Sequence, residues 1–261
     1  MTDVEFRVIV NIVAVVFVLV MAYESLHTRA SQWLVRPCIA QEVFSADRFS
    51  TGDLLLVFGQ GHESILYPGH MAIVVELPRY RQKFVWDMPL PFLHSPNVLK
   101  PLAGFVAGTL KRRGAKLYVH HLAPTCAGTS AAGLTRQLLP LIKSLSVNAH
   151  YKLQTVQDHL NFCMRRILGM PGIPDLLPTP SSDYLHYCSS AVLGMLVQTG
   201  VLKPEILTSV PTYVDQRWLG VQGRTVYPQM FVHPDWEIAP FVQGDAWSFG
   251  PLVRISHGSA A

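Results

Sequence analysis

Residues 69–87 read GHMAIVVELPRYRQKFVWD. Two short apolar runs, residues 70–76 and 83–87, flank a more polar stretch at residues 77–82 that contains a proline. Short runs rich in valine, isoleucine and aromatic residues on either side of a turn signal are typical of a β-hairpin. The segment therefore predicts two antiparallel strands joined by a loop within residues 77–82.

Further β-prone and helical patterns lie on both sides of this hairpin. The other predicted strands are residues 54–58, which follow the turn Thr51-Gly52-Asp53, and residues 116–122. The predicted helices are residues 131–146, residues 155–168, and one that carries Cys188 and runs to about Gly200. Because the strands precede the helices along the chain, the pattern predicts the α+β class, with an antiparallel sheet packed on helices.

The N-terminal residues are strongly apolar. Residues 8–23 read VIVNIVAVVFVLVMAY, and only Asn11 interrupts the apolar run. Such a run makes a helix of about 24 Å, slightly shorter than a hydrocarbon core of about 30 Å, and no small-residue cleavage pattern follows it. Residues 1–24 are therefore predicted to be a retained signal-anchor that crosses the membrane once, in either orientation. The alternative is an N-terminal helix or strand buried in a larger assembly.

The rest of the chain divides by composition. Residues 25–50 are predicted to be a connector, and residues 51–205 to be the folded domain. Residues 206–261 are rich in proline and aromatic residues, and we expect this C-terminal extension to pack on the domain or on a protein partner. The whole chain has 261 residues, of which 49% are hydrophobic and 15% charged, a balance that indicates a sizeable core rather than disorder.

Charge and cysteine spacing exclude several classes of function. The formal net charge is only +4, and the basic clusters are short, so no nucleic-acid partner is predicted. The four cysteines contain no C-x-x-C pair, and the eleven histidines contain no H-E-x-x-H pattern. We therefore expect neither a metal ion nor another cofactor.

Three residues form a candidate catalytic triad. Cys188 lies near the start of a predicted helix, where the helix dipole and free N–H groups favour thiolate over thiol. His70 opens a predicted strand after a Pro-Gly turn and is the candidate base, and Asp87 is the candidate group that orients it. A tight hairpin turn at Pro78-Arg79 predicts that His70 lies directly opposite Asp87 on one face of the sheet.

Each of these residues also has a purely structural interpretation. A cysteine within a helix is more often a small buried hydrophobe. A histidine at the start of a strand is more often hydrogen-bonded in a structural role, and an acid at the end of a strand is usually solvated. His120 and His121, at the end of the predicted strand 116–122, are alternative orienting groups for the candidate base.

The order of these motifs resembles a known family. The set consists of Gly52-Asp53, Gly69-His70, Asp87 and the helical Tyr187-Cys188-Ser189-Ser190, each of the first two followed by an apolar strand. It is similar to the permuted branch of the NlpC-type cysteine peptidase superfamily, which includes YiiX-like proteins, the lecithin:retinol acyltransferase family and a poxvirus group. In that branch the histidine precedes the cysteine, as it does here.

The resemblance covers roughly residues 50–205. It implies a circularly permuted papain-like fold in which Cys188 is the nucleophile, His70 the base and Asp87 the third residue. The chain departs from the family pattern at two positions. Ser190 stands where many relatives have glutamate, and Asp87 stands where several subfamilies have glutamate or histidine.

Three functions fit these observations. The first is a membrane-anchored thiol hydrolase or acyltransferase acting on a peptide, another amide or a lipid ester. The second is a catalytically inactive structural or tethering protein of a membrane-associated assembly, such as a virion, with partner contacts through residues 206–261. The third is a lipid-binding module. An open cleft where His70 meets Cys188 favours the enzyme, a blocked cleft favours the tether, and a roomy apolar cavity favours the binding module.

Overall fold

The structure, a computed structural model, describes residues 39–58, 70–77, 79–80, 82–87, 99–112, 114–147, 188–207, 231–232 and 236–256. The predicted signal-anchor at residues 1–24 and the predicted helix at residues 155–168 lie outside these ranges. Within the described ranges, no helix is both long enough and apolar enough to cross a membrane.

Seven strands of the described residues form one sheet. They are β1 (Ala40–Val43), β2 (Leu54–Phe58), β3 (His70–Leu77), β4 (Gln82–Asp87), β5 (Leu99–Pro101), β6 (Lys116–Pro124) and β7 (Trp247–Ser256). Their order across the sheet is β1-β7-β6-β2-β3-β4-β5. All neighbours are antiparallel except β1 and β7, which run parallel. The predicted α+β class is confirmed, and the sheet is mixed rather than wholly antiparallel.

Helices cover both faces of this sheet. The α-helices of the described residues are α1 (Leu102–Lys111), α2 (Ala131–Val147) and α3 (Cys188–Gln198), and short 3-10 turns span Ala46–Arg48, Pro204–Leu207 and Ala239–Phe241. Successive strand residues point to opposite faces. Met71 and Ile73 of β3 therefore pack with α2 and α3, whereas Ala72 and Val74 pack with α1. Burial on both faces explains why β3 is apolar almost throughout.

The sheet takes strands from both segments that flank the predicted domain at residues 51–205. β1 comes from the predicted connector at residues 25–50, and β7 comes from the predicted extension at residues 206–261. β7 lies between β1 and β6, so this part of the extension is a strand of the sheet itself. The folded unit is thus wider in sequence than 51–205, because a strand that pairs on both of its edges is part of the sheet itself.

The hairpin of β3 and β4 has a register that differs from the predicted one. Leu77 pairs with Gln82, and Asp87 pairs with Ala72 rather than with His70. The prediction of a direct His70–Asp87 pair was wrong because the loop contains four residues instead of two. A shift of two residues preserves the alternation of faces, so His70 and Asp87 remain on one face as diagonal neighbours.

The turn before β2 explains the Gly52-Asp53 pair. Gly52 has φ +99°, and a Cβ at this position would lie 2.4 Å from Cδ2 of Leu122. A side chain there would meet both backbone strain and a steric clash. Glycine thus lets the side chains of Leu122 and Leu134 pack directly against the turn. The N–H of Gly52 also ties the turn to β3 by donating to the carbonyl of Val74 at 2.9 Å.

Asp53 anchors the same turn to β6. Its side chain is only 1% exposed. The carboxylate accepts hydrogen bonds from the backbone N–H groups of Leu122 at 2.8 Å and Ser50 at 3.0 Å, and from Nδ1 of His121 at 2.8 Å. Three donors satisfy the buried charge, so this carboxylate links the start of β2 to the middle of the sheet.

Replacement of this carboxylate tests its structural role. We expect Asp53→Asn to lower the free energy of unfolding by about 2–4 kcal/mol, because the amide NH2 group would face an N–H donor in a buried position. The measurement is urea unfolding of the full chain. The matched control is Asp47→Asn, an exposed acid on a neighbouring turn, for which we expect a change within about 0.5 kcal/mol. Equal effects of the two variants would contradict the role of Asp53.

Candidate active site

Cys188 is the first residue of α3, the helix that packs on β3. This position gives the sulfur access to backbone donors that have no partner within the first turn of the helix. The N–H groups of Met71 in β3 and Ser189 in α3 both donate hydrogen bonds to the Cys188 sulfur. The prediction that Cys188 lies at the start of a helix is confirmed, and the neighbouring strand adds a second donor.

His70 lies beside Cys188 because two elements begin at the same end of the sheet. β3 begins at His70 and α3 begins at Cys188. Nε2 of His70 donates a hydrogen bond to Oδ1 of Asp87. His70 also forms a side-chain hydrogen bond with Cys188, and with Nε2 held by Asp87, Nδ1 is the ring nitrogen available for it. The structure thus brings together all three residues of the candidate triad.

Cys188 and His70 each stabilise the charged form of the other. Burial lowers the pKa of His70, but the negative charges of Cys188 and Asp87 outweigh burial and raise this pKa to about 10. Burial raises the pKa of Cys188, but the positive charge of His70 and the two backbone donors outweigh it and lower this pKa. The geometry therefore favours a thiolate–imidazolium pair near neutral pH.

Asp87 is held by two cations at once. One carboxylate oxygen accepts from His70, and the other accepts from Nζ of Lys100 at 2.7 Å. Burial opposes ionisation of Asp87, but the positive charges of His70 and Lys100 hold its pKa well below the usual range. Asp87 is therefore ionised near neutral pH, as an orienting carboxylate requires.

Solvent reaches His70 and Cys188 more than it reaches the carboxylate of Asp87. The His70 side chain is 24% exposed and Cys188 is half-buried, whereas the Asp87 side chain is only 7% exposed. Cys188 packs against the apolar core on the face of the sheet that α2 and α3 cover. An acyl group that reaches the sulfur would therefore lie partly in apolar surroundings, where electrostatic interactions are stronger than in water.

The two histidines of β6, His120 and His121, have partners outside the candidate triad. His121 donates to Asp53, as described above, and Nδ1 of His120 donates to the carbonyl of Gly250 at 3.0 Å. In the described residues it is Asp87 that orients His70, and the alternative orienting role of His120 and His121 gains no support. The same residues contain no group of three or more His, Cys, Asp or Glu side chains that could hold a metal ion.

Lys100 and the N–H group of Met71 belong to the site but were not predicted from the sequence. Lys100 is a lone lysine between Leu99 and Pro101, and nothing in its local sequence distinguishes it from a solvated lysine. Its place beside Asp87 follows from the pairing of β5 with β4. A backbone donor such as that of Met71 has no sequence signature at all.

Neither a scan of protein-family models nor a search of curated proteins finds a match to this chain. The grounds for a function are therefore the positions and charges of Cys188, His70 and Asp87. A thiolate, a proton carrier beside it and a fixed carboxylate behind the carrier are the parts that nucleophilic catalysis by sulfur requires.

The pH dependence of alkylation tests the thiolate–imidazolium pair. We expect iodoacetamide to alkylate Cys188 of the full chain with a midpoint well below the ordinary thiol value of about 8.5, because His70 stabilises the thiolate. His70→Ala should raise the midpoint and slow alkylation at pH 6 by about tenfold or more. Mass spectrometry of each cysteine-containing peptide measures both rates.

Cys126 is the internal control, because it is exposed and its sulfur donates to the carbonyl of Asp245 rather than facing His70. Its alkylation should not change in His70→Ala. A Cys188 midpoint at or above the ordinary thiol value, or one that His70→Ala leaves unchanged, would contradict the pair.

Proposed function

We propose that this chain is a thiol hydrolase or acyltransferase in which Cys188 is the nucleophile, His70 the general acid–base and Asp87 the orienting carboxylate. The observation that carries the proposal is the contact of His70 with both Cys188 and Asp87. The strand that bears the histidine precedes the helix that bears the cysteine. This order supports a circularly permuted papain-like fold of the NlpC type, since the unpermuted fold has the cysteine first.

The proposed reaction has two steps. The Cys188 thiolate attacks an ester or amide carbonyl, and His70 gives its proton to the departing alcohol or amine, which leaves a thioester on the sulfur. Water or an acceptor alcohol or amine then loses its proton to His70 and attacks the thioester, which releases the acyl group and restores the ion pair. Asp87 keeps Nδ1 of His70 directed at the sulfur throughout by holding Nε2.

Backbone N–H groups are suited to the negative oxygen of each tetrahedral intermediate. α3 begins at Cys188, and the free N–H groups at a helix N-terminus point along the axis towards negative charge. The N–H of Met71 already donates to the sulfur, so it stabilises the thiolate before attack. The N–H of Ser189 donates to the sulfur as well, so we assign the oxyanion to another N–H group at the start of α3, that of Cys188 itself.

The partial exposure of the site favours the enzyme over an inactive tether. A tether would not require a histidine and a cysteine to hold opposite charges at a position that solvent reaches. Forming that pair costs desolvation, and three further groups, Asp87 and the N–H groups of Met71 and Ser189, stabilise it. A lipid-binding module without turnover would gain nothing from the same arrangement.

We also propose that residues 1–24 anchor the enzyme in a membrane by a single helix. The apolar run at residues 8–23 supports this proposal. An anchor holds the site near acyl groups of the lipid surface, so lipid esters and membrane-proximal amides are the favoured substrates. The apolar surroundings of Cys188 fit an acyl chain.

A covalent intermediate is the direct test of the chemistry. We expect the full chain to release a burst of p-nitrophenol from p-nitrophenyl butyrate, with a butyryl group on Cys188 in the mass spectrum. Cys188→Ala should give neither signal, and Asp87→Ala should slow the burst by about tenfold to hundredfold. Cys126→Ala is the matched control and should keep the full burst. A burst that survives Cys188→Ala would contradict the proposed nucleophile.

Alkaline extraction tests the membrane anchor. We expect the full chain to stay in the membrane pellet after a carbonate wash, because residues 8–23 insert into the hydrocarbon core. A variant with Val13→Asp and Leu19→Asp should be released, since each acid near the centre of a span costs about 2.5–3.5 kcal/mol. Release of the unmodified chain by the wash would show that these residues do not span the membrane.

A further inference from the structure

Lys100 contacts the one group of the candidate triad that does not itself react. Its Nζ donates to Oδ2 of Asp87 at 2.7 Å, while Oδ1 of the same carboxylate accepts from His70. The Asp87 side chain is 7% exposed, so its two oxygens depend on these two partners rather than on water. The Lys100 side chain is 38% exposed and reaches the carboxylate from the sheet edge.

Strand pairing accounts for this contact. Lys100 of β5 pairs with Val85 of β4, and Asp87 is two residues further along β4, so Lys100 and Asp87 share a face. Asp87 pairs with Ala72 of β3, which places His70 on that same face. His70, Asp87 and Lys100 therefore stand on three adjacent strands in a row across one face of the sheet.

The charges along this row alternate in sign. The Cys188 thiolate faces the His70 imidazolium, the imidazolium faces the Asp87 carboxylate, and the carboxylate faces the Lys100 ammonium. These are the charged groups that contact one another at the site in the described residues. Two negative and two positive charges give no net charge, which lowers the cost of placing ions in partly buried surroundings.

We propose that Lys100 is a positioning residue of this site, whose ammonium fixes the Asp87 carboxylate in the orientation in which it holds His70. The inference rests on the proposed function, because it assigns a role within the same triad. The hydrogen bond and ion pair of Lys100 are with Asp87, and Lys100 is not among the groups that shift the pKa of His70 or Cys188, so it acts through Asp87. Without its ammonium, Oδ2 of Asp87 loses its partner and the carboxylate is free to rotate away from Nε2.

Removal of the Lys100 ammonium should raise the pKa of Cys188, for two reasons. The loss of a positive charge makes the site more negative, which disfavours the thiolate. The loss of a fixed Asp87 weakens the hold on the imidazolium, which also disfavours the thiolate. Both effects raise the pH at which the Cys188 thiolate forms. They act in opposite directions on the pKa of His70, which the loss of positive charge raises and the loss of a fixed Asp87 lowers.

The test is the pH profile of Cys188 alkylation by iodoacetamide in the full chain, compared between Lys100→Met and Lys100→Arg. Methionine keeps the apolar stem and removes the charge. We therefore expect the rise of the alkylation rate with pH to move to higher pH, and alkylation at pH 5 to slow by about threefold to tenfold. Arginine keeps a cation with a longer reach, so we expect it to restore most of the unmodified profile.

Lys83→Met is the matched control. Lys83 lies on the same face of β4, but its Nζ donates to the carbonyls of Ala46 and Asp47 instead of to Asp87. It is four residues from Asp87 along an extended strand, or about 13 Å, beyond the Debye length of about 8 Å at physiological salt. We expect its profile to match that of the unmodified chain, and thermal melting of each variant shows whether it is folded.

The outcomes separate the two proposals. A low alkylation midpoint in the unmodified chain that Lys100→Met leaves unchanged would overturn the role of Lys100 and spare the thiolate–imidazolium pair. An equal shift in Lys100→Met and Lys83→Met would also overturn it, because distant charge alone would then explain the effect. An ordinary midpoint in the unmodified chain would overturn the proposed function itself. A folded Lys100→Met with a shifted profile, restored by arginine, supports the positioning role.

Discussion

Strand pairing across β3, β4 and β5 is the constraint on which the candidate site depends. Side chains of a strand alternate between faces, so the register of each pair decides which residues meet. With Asp87 opposite Ala72 and Lys100 opposite Val85, the polar groups fall on one face at one end of the sheet. A shift of one residue in either pair would send Asp87 or Lys100 to the opposite face and separate it from His70.

The site concentrates charge where the protein is otherwise apolar. Cys188 packs against the apolar core beneath α2 and α3. Its ionisation depends on His70 and on backbone N–H groups rather than on water. Each ion has a partner of opposite sign, and His70 and Asp87 each have two. A row of alternating charges stabilises the thiolate without adding net charge to the interior. The thiolate can therefore be partly buried without a large desolvation cost.

The strands that flank the site region in sequence complete the sheet that supports it. β7 covers the edge of β6 and β1 covers the outer edge of β7. Asp53 joins β6 to the start of β2 through a buried carboxylate. The neighbouring β3 carries His70. The sheet that carries the site therefore contains strands from both ends of the described residues. A substitution in the Gly52-Asp53 turn should destabilise this sheet and so affect a site that is distant in sequence.

Local sequence by itself determined the four longest strands of the first half, β2, β3, β4 and β6, together with α2 and α3. Each of them carries an apolar run or a helical period that is clear in the sequence alone. It also singled out Cys188, His70 and Asp87. It did not determine β1, β5, α1 or β7, which are short or lack a clear period and form only because the sheet pairs or covers them. Tertiary structure alone decided the β3–β4 register and the place of Lys100, because a four-residue loop and a strand pairing bring these side chains together.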